Sequence, residues 1–223
     1  MERVETGIGG LDELLQGGLI KGSSVLISGA TGTGKTILGM QYLWEGLKRG
    51  DNCLFITFEE SPKDIKQSAS LFGWNFGKHE ENGKLSMKHM LPFTGEQDDL
   101  FWFKDEVKEN KVDRAVIDST SILSLYYKDK YNIRKNLFKL VKLFKETNTT
   151  SLLTTETPSK RELSRYNVEE YVTDGVIKLY FMGVGKKGYR ALQIRKMRDM
   201  EHSMETRSFE ITKKGIKIED KLI

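Results

Sequence analysis

Apolar positions along this chain fall into runs of two kinds. Short unbroken runs recur at Ser23–Ser28, Cys53–Phe58, Asp113–Asp118 and Ser151–Glu156, the pattern of strands buried on both faces of a parallel sheet. Between them, apolar residues return at three- and four-residue spacing. Ile37, Met40, Leu43, Trp44 and Leu47 mark a helix over Lys35–Lys48 that Gly50 ends, with Trp44 facing the core. Ile133, Leu137, Leu140, Val141 and Phe144 mark another over Tyr131–Glu146, whose opposite face carries Arg134, Lys135, Lys139, Lys142 and Lys145. That basic face reads first as a solvated one, and second as a surface for an acidic partner or nucleic acid.

Weaker signals fill the gaps. Leu11–Leu15 reads as a short helix between glycines, and Pro62 opens a helix running to about Phe72. Gly73–Gly83, rich in Gly, Asn and charge, reads as a loop; Leu85–Leu91 reads as a strand and Gly95–Asn110 as a helix. After a polar loop at Pro158–Asn167 the pattern changes. Gly175–Met182, Tyr189–Arg198, Arg207–Thr212 and Ile216–Ile218 alternate like strands joined by glycine turns. The sum is an α/β fold: a mostly parallel central sheet flanked by helices, extended at one edge by C-terminal antiparallel strands. We expect one domain over residues 1–223.

Composition narrows this picture modestly. A 38% hydrophobic content supports a core, and the 30% charged content is of mixed sign, leaving a net charge of +4 that neither demands nucleic acid nor excludes it. The single Cys53 excludes an intramolecular disulfide and a cysteine metal cluster. Met1–Gly7 carries charges where a signal peptide needs its apolar core. No run reaches the roughly 18 apolar residues of a membrane helix, so a cytoplasmic protein with no membrane contact is expected.

The chemistry gathers at Gly29-Ala30-Thr31-Gly32-Thr33-Gly34-Lys35-Thr36, a G-x-x-x-x-G-K-T or Walker A run lying between the first buried strand and its helix. Gly32 and Gly34 let successive backbone N–H groups turn inward as an anion cradle, and the helix that follows adds its positive end. Lys35 supplies a point charge for the β- and γ-phosphates, Thr36 a hydroxyl for Mg²⁺. Such a loop requires acids at strand ends, where ligands collect in open α/β sheets. Asp118, after Ala115-Val116-Ile117, has the Walker B form and would hold Mg²⁺ through water or through Thr36; its bland reading is a helix cap. Glu59 and Glu60 end the strand after the P-loop helix, where a carboxylate can orient and deprotonate the attacking water. Glu60 is preferred, although both also suit the positive end of the next helix.

At this point the chain resembles the RecA-type P-loop ATPases and, within them, the KaiC-like proteins. The resemblance rests on Thr6-Gly7-Ile8-Gly9-Gly10-Leu11-Asp12 ahead of Gly17-Gly18-Leu19, the Walker A run, and Phe55 to Pro62. It continues through Asp118-Ser119, Thr155-Glu156, Val168 to Gly175, and Lys196-Met197-Arg198 with His202. It implies a RecA-like fold that binds ATP with Mg²⁺ and hydrolyses it slowly, the paired glutamates activating water. It also implies a hexameric ring with nucleotide between subunits, Lys196 and Arg198 reaching the γ-phosphate of the neighbour and His202 a further interface residue. Where the family's clock protein autophosphorylates a Ser-Thr pair, this chain has Glu170-Tyr171, which argues against a phosphorylation cycle there.

Two other functions compete. A RadA-like single-stranded DNA-binding ATPase would use the Pro158–Asn167 loop, which also contains Lys160, with Arg161 and Arg165 as cations and Tyr166 as a stacking ring. A nucleotide-dependent regulator would bind ATP with little turnover and act on a protein partner whose identity the residues do not reveal.

Overall fold

A computed structural model describes all residues except 91–96, 126, 160, 185–186 and 223, and leaves aside the side chains of 97–102, 183–184, 187–188 and 221–222. The chain opens with β1 (Arg3–Val4), α1 (Leu11–Leu14) and β2 (Leu19–Ile20), followed by β3 (Ser24–Gly29), α2 (Lys35–Arg49) and β4 (Cys53–Thr57). Next come α3 (Pro62–Ser70), α4 (Phe76–Glu81), β5 (Leu85–His89), α5 (Gln97–Glu109) and β6 (Arg114–Asp118). A 3₁₀ turn over Thr120–Leu125 leads to α6 (Lys130–Glu146), β7 (Thr150–Glu156) and α7 (Glu169–Val172). The last strands are β8 (Gly175–Val184), β9 (Lys187–Met197), β10 (Thr206–Thr212) and β11 (Gly215–Leu222).

β1 and β2 pair with each other, and the other strands form one sheet in the order β11-β10-β9-β8-β3-β7-β6-β4-β5. From β8 to β5 every pairing is parallel, and β8 to β11 form an antiparallel meander. The mostly parallel sheet with an antiparallel edge is as expected. Its strands alternate between two cores, which is why their sequences are continuously apolar. Val25, Ile27, Phe55 and Val116 pack with α2, whereas Leu26, Leu54, Ile56 and Ile117 pack with α6.

Local chemistry sets the element ends. Gly50 closes α2 in the left-handed conformation, at φ 89°. Ser61 caps α3 by accepting from the Asp64 N–H, with Pro62 in its first turn.

Gly73–Gly83 is not the expected loop. Asn75 accepts from the Lys78 N–H at 3.1 Å and Phe76 is buried, so a cap and one apolar anchor make α4 from a polar stretch. Arg198 lies one residue past β9 rather than on it, its N–H donating to the Asp174 carbonyl at 2.9 Å. Of the expected strand and helix around residues 85–110, Leu91 and Gly95 fall outside the described residues.

Candidate functional site

β3 runs into the phosphate loop at Gly29, where the chain must pass close beneath β8. A Cβ on Gly29 would lie 2.7 Å from the Leu179 carbonyl oxygen and 2.7 Å from Thr33 Oγ1, so only glycine fits. Gly32 and Gly34 take φ values of 77° and 104°, which turn the loop back into the first residue of α2. Thr33 Oγ1 donates to the Ala30 carbonyl at 2.8 Å and braces that turn. Lys35 folds over the loop, its Nζ donating to the Gly29 and Ala30 carbonyls at 3.1 Å each. Burial lowers its pKa, while Glu156, Asp118 and Glu59 pull it back up.

Thr36, one residue on, faces the sheet. Its Oγ1 donates to Asp118 Oδ2 at 2.6 Å, and Thr154 Oγ1 donates to Asp118 Oδ1. The carboxylate is therefore aimed by a hydroxyl on each side. Asp118 does not sit on a strand adjacent to β3, because β7 lies between β3 and β6. The first turn of α2 bridges the gap.

Glu59 and Glu60 follow β4, on the far side of β6. Glu59 Oε1 accepts from Ser119 Oγ at 3.3 Å. Glu60 is fixed at its backbone, because Thr57 Oγ1 donates to the Glu60 carbonyl at 2.7 Å and accepts from its N–H at 3.2 Å. Burial raises the Glu60 pKa, and the negative charges of Asp118, Asp64 and Glu59 add to the effect.

The sequence reading did not single out Glu156 or Arg190 as site residues. Glu156 ends β7 and accepts from Thr31 Oγ1 at 2.8 Å, a strand-tip position of the same kind as Asp118. Arg190 arrives from β9 and donates through Nε and Nη2 to the Gly32 carbonyl, both at 3.3 Å. No local motif marks it. The loop, Glu59, Glu60, Asp118, Glu156 and Arg190 surround one cavity of about 310 Å³, with Ile211 of β10 on its wall. Glycine cradle, buried lysine and a hydroxyl–carboxylate pair of hard oxygen ligands fit a nucleoside triphosphate with its Mg²⁺.

The remaining candidates lie elsewhere. Lys196 pairs with Val176, level with Leu26 on β3, and its Nζ donates to the Glu170 and Thr173 carbonyls at 2.7 and 2.6 Å. Arg198 is level with Ser24, about 17 Å along the sheet from Gly29 at 3.3 Å per residue. It donates to the Tyr171 carbonyl at 3.2 Å and pairs with Asp174 at 3.5 Å. His202 is half-buried in the following loop, its Nδ1 3.1 Å from the Ser203 carbonyl.

The Pro158–Asn167 loop departs from the stacking platform expected of it. Tyr166 is 9% exposed and its hydroxyl is engaged by the Ser121 carbonyl and the Ser124 N–H, so no base can stack on it. Arg165 is paired with Glu156 at 3.3 Å, Arg161 is exposed, and Lys160 lies outside the described residues.

A family model described as "ATPase: KaiC" matches residues 4–222. The chain belongs to the KaiC ATPase family. Membership carries the nucleotide-binding, RecA-like reading of the fold with it. A solved structure of the KaiC-like protein PH0186 from Pyrococcus horikoshii OT3 is 37% identical with a TM-score of 0.89, covering 98% of this chain and 99% of that one. Circadian clock protein KaiC3 of Synechocystis is 34% identical over 98% of this chain and 46% of its own length. UPF0273 protein MK0039 of Methanopyrus kandleri is 33% identical over 98% of this chain and 92% of its own length. The chain thus spans about half of the KaiC3 relative and nearly all of the Methanopyrus one. Among the described residues no helix is long and apolar enough to cross a membrane.

Proposed function

We propose that this chain binds ATP in the cavity below the phosphate loop and hydrolyses it slowly, as a single ATPase module in a hexameric ring. The 2.6 Å bond between Thr36 and Asp118 carries the reading, since it joins the phosphate loop to a carboxylate in one oxygen site. Backbone N–H groups of the loop and the Lys35 ammonium receive the β- and γ-phosphates. Thr36 and Asp118 would hold the metal, which when bound supplies neutralisation of charge on the β- and γ-phosphate oxygens. Glu60 draws a proton from the attacking water, and Glu59, held by Ser119, orients that water.

The distance of Lys196 and Arg198 from their own loop supports their action in trans, with His202, on the nucleotide of a neighbouring subunit. A cation delivered there meets charge developing on the γ-phosphoryl group, an effect of about 10³–10⁵ in rate in other NTPases. Slow turnover of this kind would serve ring shape or a protein partner in the cytoplasm. The decisive experiment measures phosphate release and nucleotide binding with Glu59 and Glu60 both changed to Gln. Release is expected to stop while ATP stays bound; normal turnover would end the paired-glutamate reading.

A further inference from the structure

The solvent face of α6 holds a run of unbalanced positive charge. Residues Lys130–Glu146 contain six cations and one carboxylate, a net of +5, whereas the whole chain has a net charge of +4. Many basic side chains elsewhere are paired, as Lys66 is with Glu80, Arg114 with Asp51 and Arg165 with Glu156. On α6, among the described residues, the one ion pair is Lys142–Glu146 at 3.7 Å. Lys135 and Lys139 are four residues apart, and Lys139, Lys142 and Lys145 follow at intervals of three. Each such like-charge pair destabilises the helix.

Solubility does not explain what lies among these cations. Tyr131 is 73% exposed and Phe138 57%, seven residues apart and so on one stripe of the helix, in line with Lys142 and Lys145. The stripe from Tyr131 to Lys145 is about 21 Å long at 1.5 Å per residue. Cations flanking exposed rings, in a row long enough for several nucleotides, are the elements of a single-strand platform, in which phosphates meet charge and bases stack.

We propose that the outer face of α6 binds single-stranded nucleic acid. The surface is separate from the phosphate cavity and from the Pro158–Asn167 loop, and the proposal stands or falls independently of ATP hydrolysis. Interleaved aromatic rings favour nucleic acid over an acidic protein, which would need the charges alone.

The test is fluorescence anisotropy of the full chain with a labelled oligothymidylate of about 20 nucleotides, between about 50 and 200 mM salt. Affinity should fall with salt at a slope of about −0.7 per phosphate engaged. Lys139→Glu with Lys142→Glu should weaken binding about tenfold or more and flatten that slope by about 1.4. Tyr131→Ala with Phe138→Ala should weaken binding about fivefold or more at unchanged slope. Each variant is first checked for an unchanged melting temperature and ATP affinity, and where Glu unfolds the helix, Gln replaces it. Unaltered binding by the charge-reversed variant overturns the proposal. So does unaltered binding by the aromatic variant, or competition by polyglutamate as strong as that by oligothymidylate, which would mark an acidic-protein surface instead.

Discussion

Thr36 Oγ1 donates to Asp118 Oδ2 across 2.6 Å, although 82 residues separate them in the chain. The bond fixes the first turn of α2 to the tip of β6, across the end of the strand that lies between. It also leaves the carboxylate anchored from both sides, since Thr154 donates to the other oxygen.

Asp118→Asn keeps the shape and removes the charge. It is expected to raise the Mg²⁺ concentration needed for half-maximal activity about 10–100-fold. Hydrolysis should fall by about 100-fold or more, the usual scale for losing one preorganised contact to developing charge. Titration of ATP binding and of phosphate release against Mg²⁺ checks both.

Lys35→Met removes a charge-assisted contact worth about 1.5–3 kcal/mol, so ATP affinity is expected to weaken roughly 10–150-fold. Burial lowers the Lys35 pKa, so the wild-type chain should lose ATP affinity, as pH rises, sooner than an exposed lysine would allow. Equilibrium binding at neutral and alkaline pH measures this.

Glu60 must be ionised to accept a proton, and its pKa is raised by burial and by Asp118, Asp64 and Glu59. Activity should therefore climb with pH through a value above the ordinary glutamate range. The sign for stability is the reverse: the folded chain holds this proton more tightly, so its contribution is present at low pH and lost as pH rises through the folded pKa. A pH profile of kcat/KM that keeps its acidic limb in Glu60→Gln would assign that limb to another group.

Arg198→Ala should be inactive alone, as should the Glu59→Gln, Glu60→Gln double variant. Mixed, the first supplies intact acids and the second an intact cation, so activity is expected to return if the two halves of a site belong to different subunits. A mixture as inactive as its components would confine the site to one chain.

Gln41 ties α2 to both ends of the chain. Its Nε2 donates to the Gly7 and Ile216 carbonyls at 2.9 and 3.1 Å, and its Oε1 accepts from the buried Ile216 N–H at 2.6 Å. Gln41→Ala leaves that N–H unpaired at a cost of about 1–3 kcal/mol. For a chain of 223 residues this lowers the melting temperature by roughly 2–12 °C. Thermal unfolding followed by far-ultraviolet circular dichroism checks it.

Much of this protein was legible one segment at a time. The four apolar runs, the helices read over Lys35–Lys48 and Tyr131–Glu146 and the glycine-lysine-threonine loop were legible in sequence because each depends on local periodicity, backbone freedom or a cap, and in the fold the two helices span Lys35–Arg49 and Lys130–Glu146. The same logic found Asp118, Glu59 and Glu60 at strand ends. The helix Phe76–Glu81 escaped, because its cap and single anchor, Asn75 and Phe76, lie within a polar stretch whose composition resembles a loop.

Strand order was beyond such reading, since nothing local says that β7 inserts between β3 and β6. That insertion brings Glu156 to the cavity, and the antiparallel return of β9 brings in Arg190 while carrying Lys196 and Arg198 to the far end of the sheet. Burial was likewise a matter of the whole fold: Tyr166 looks available in its loop but is enclosed by the 3₁₀ turn after β6. A side chain's type is written in the sequence; what it faces depends on segments far along the chain, and folding alone brings them together.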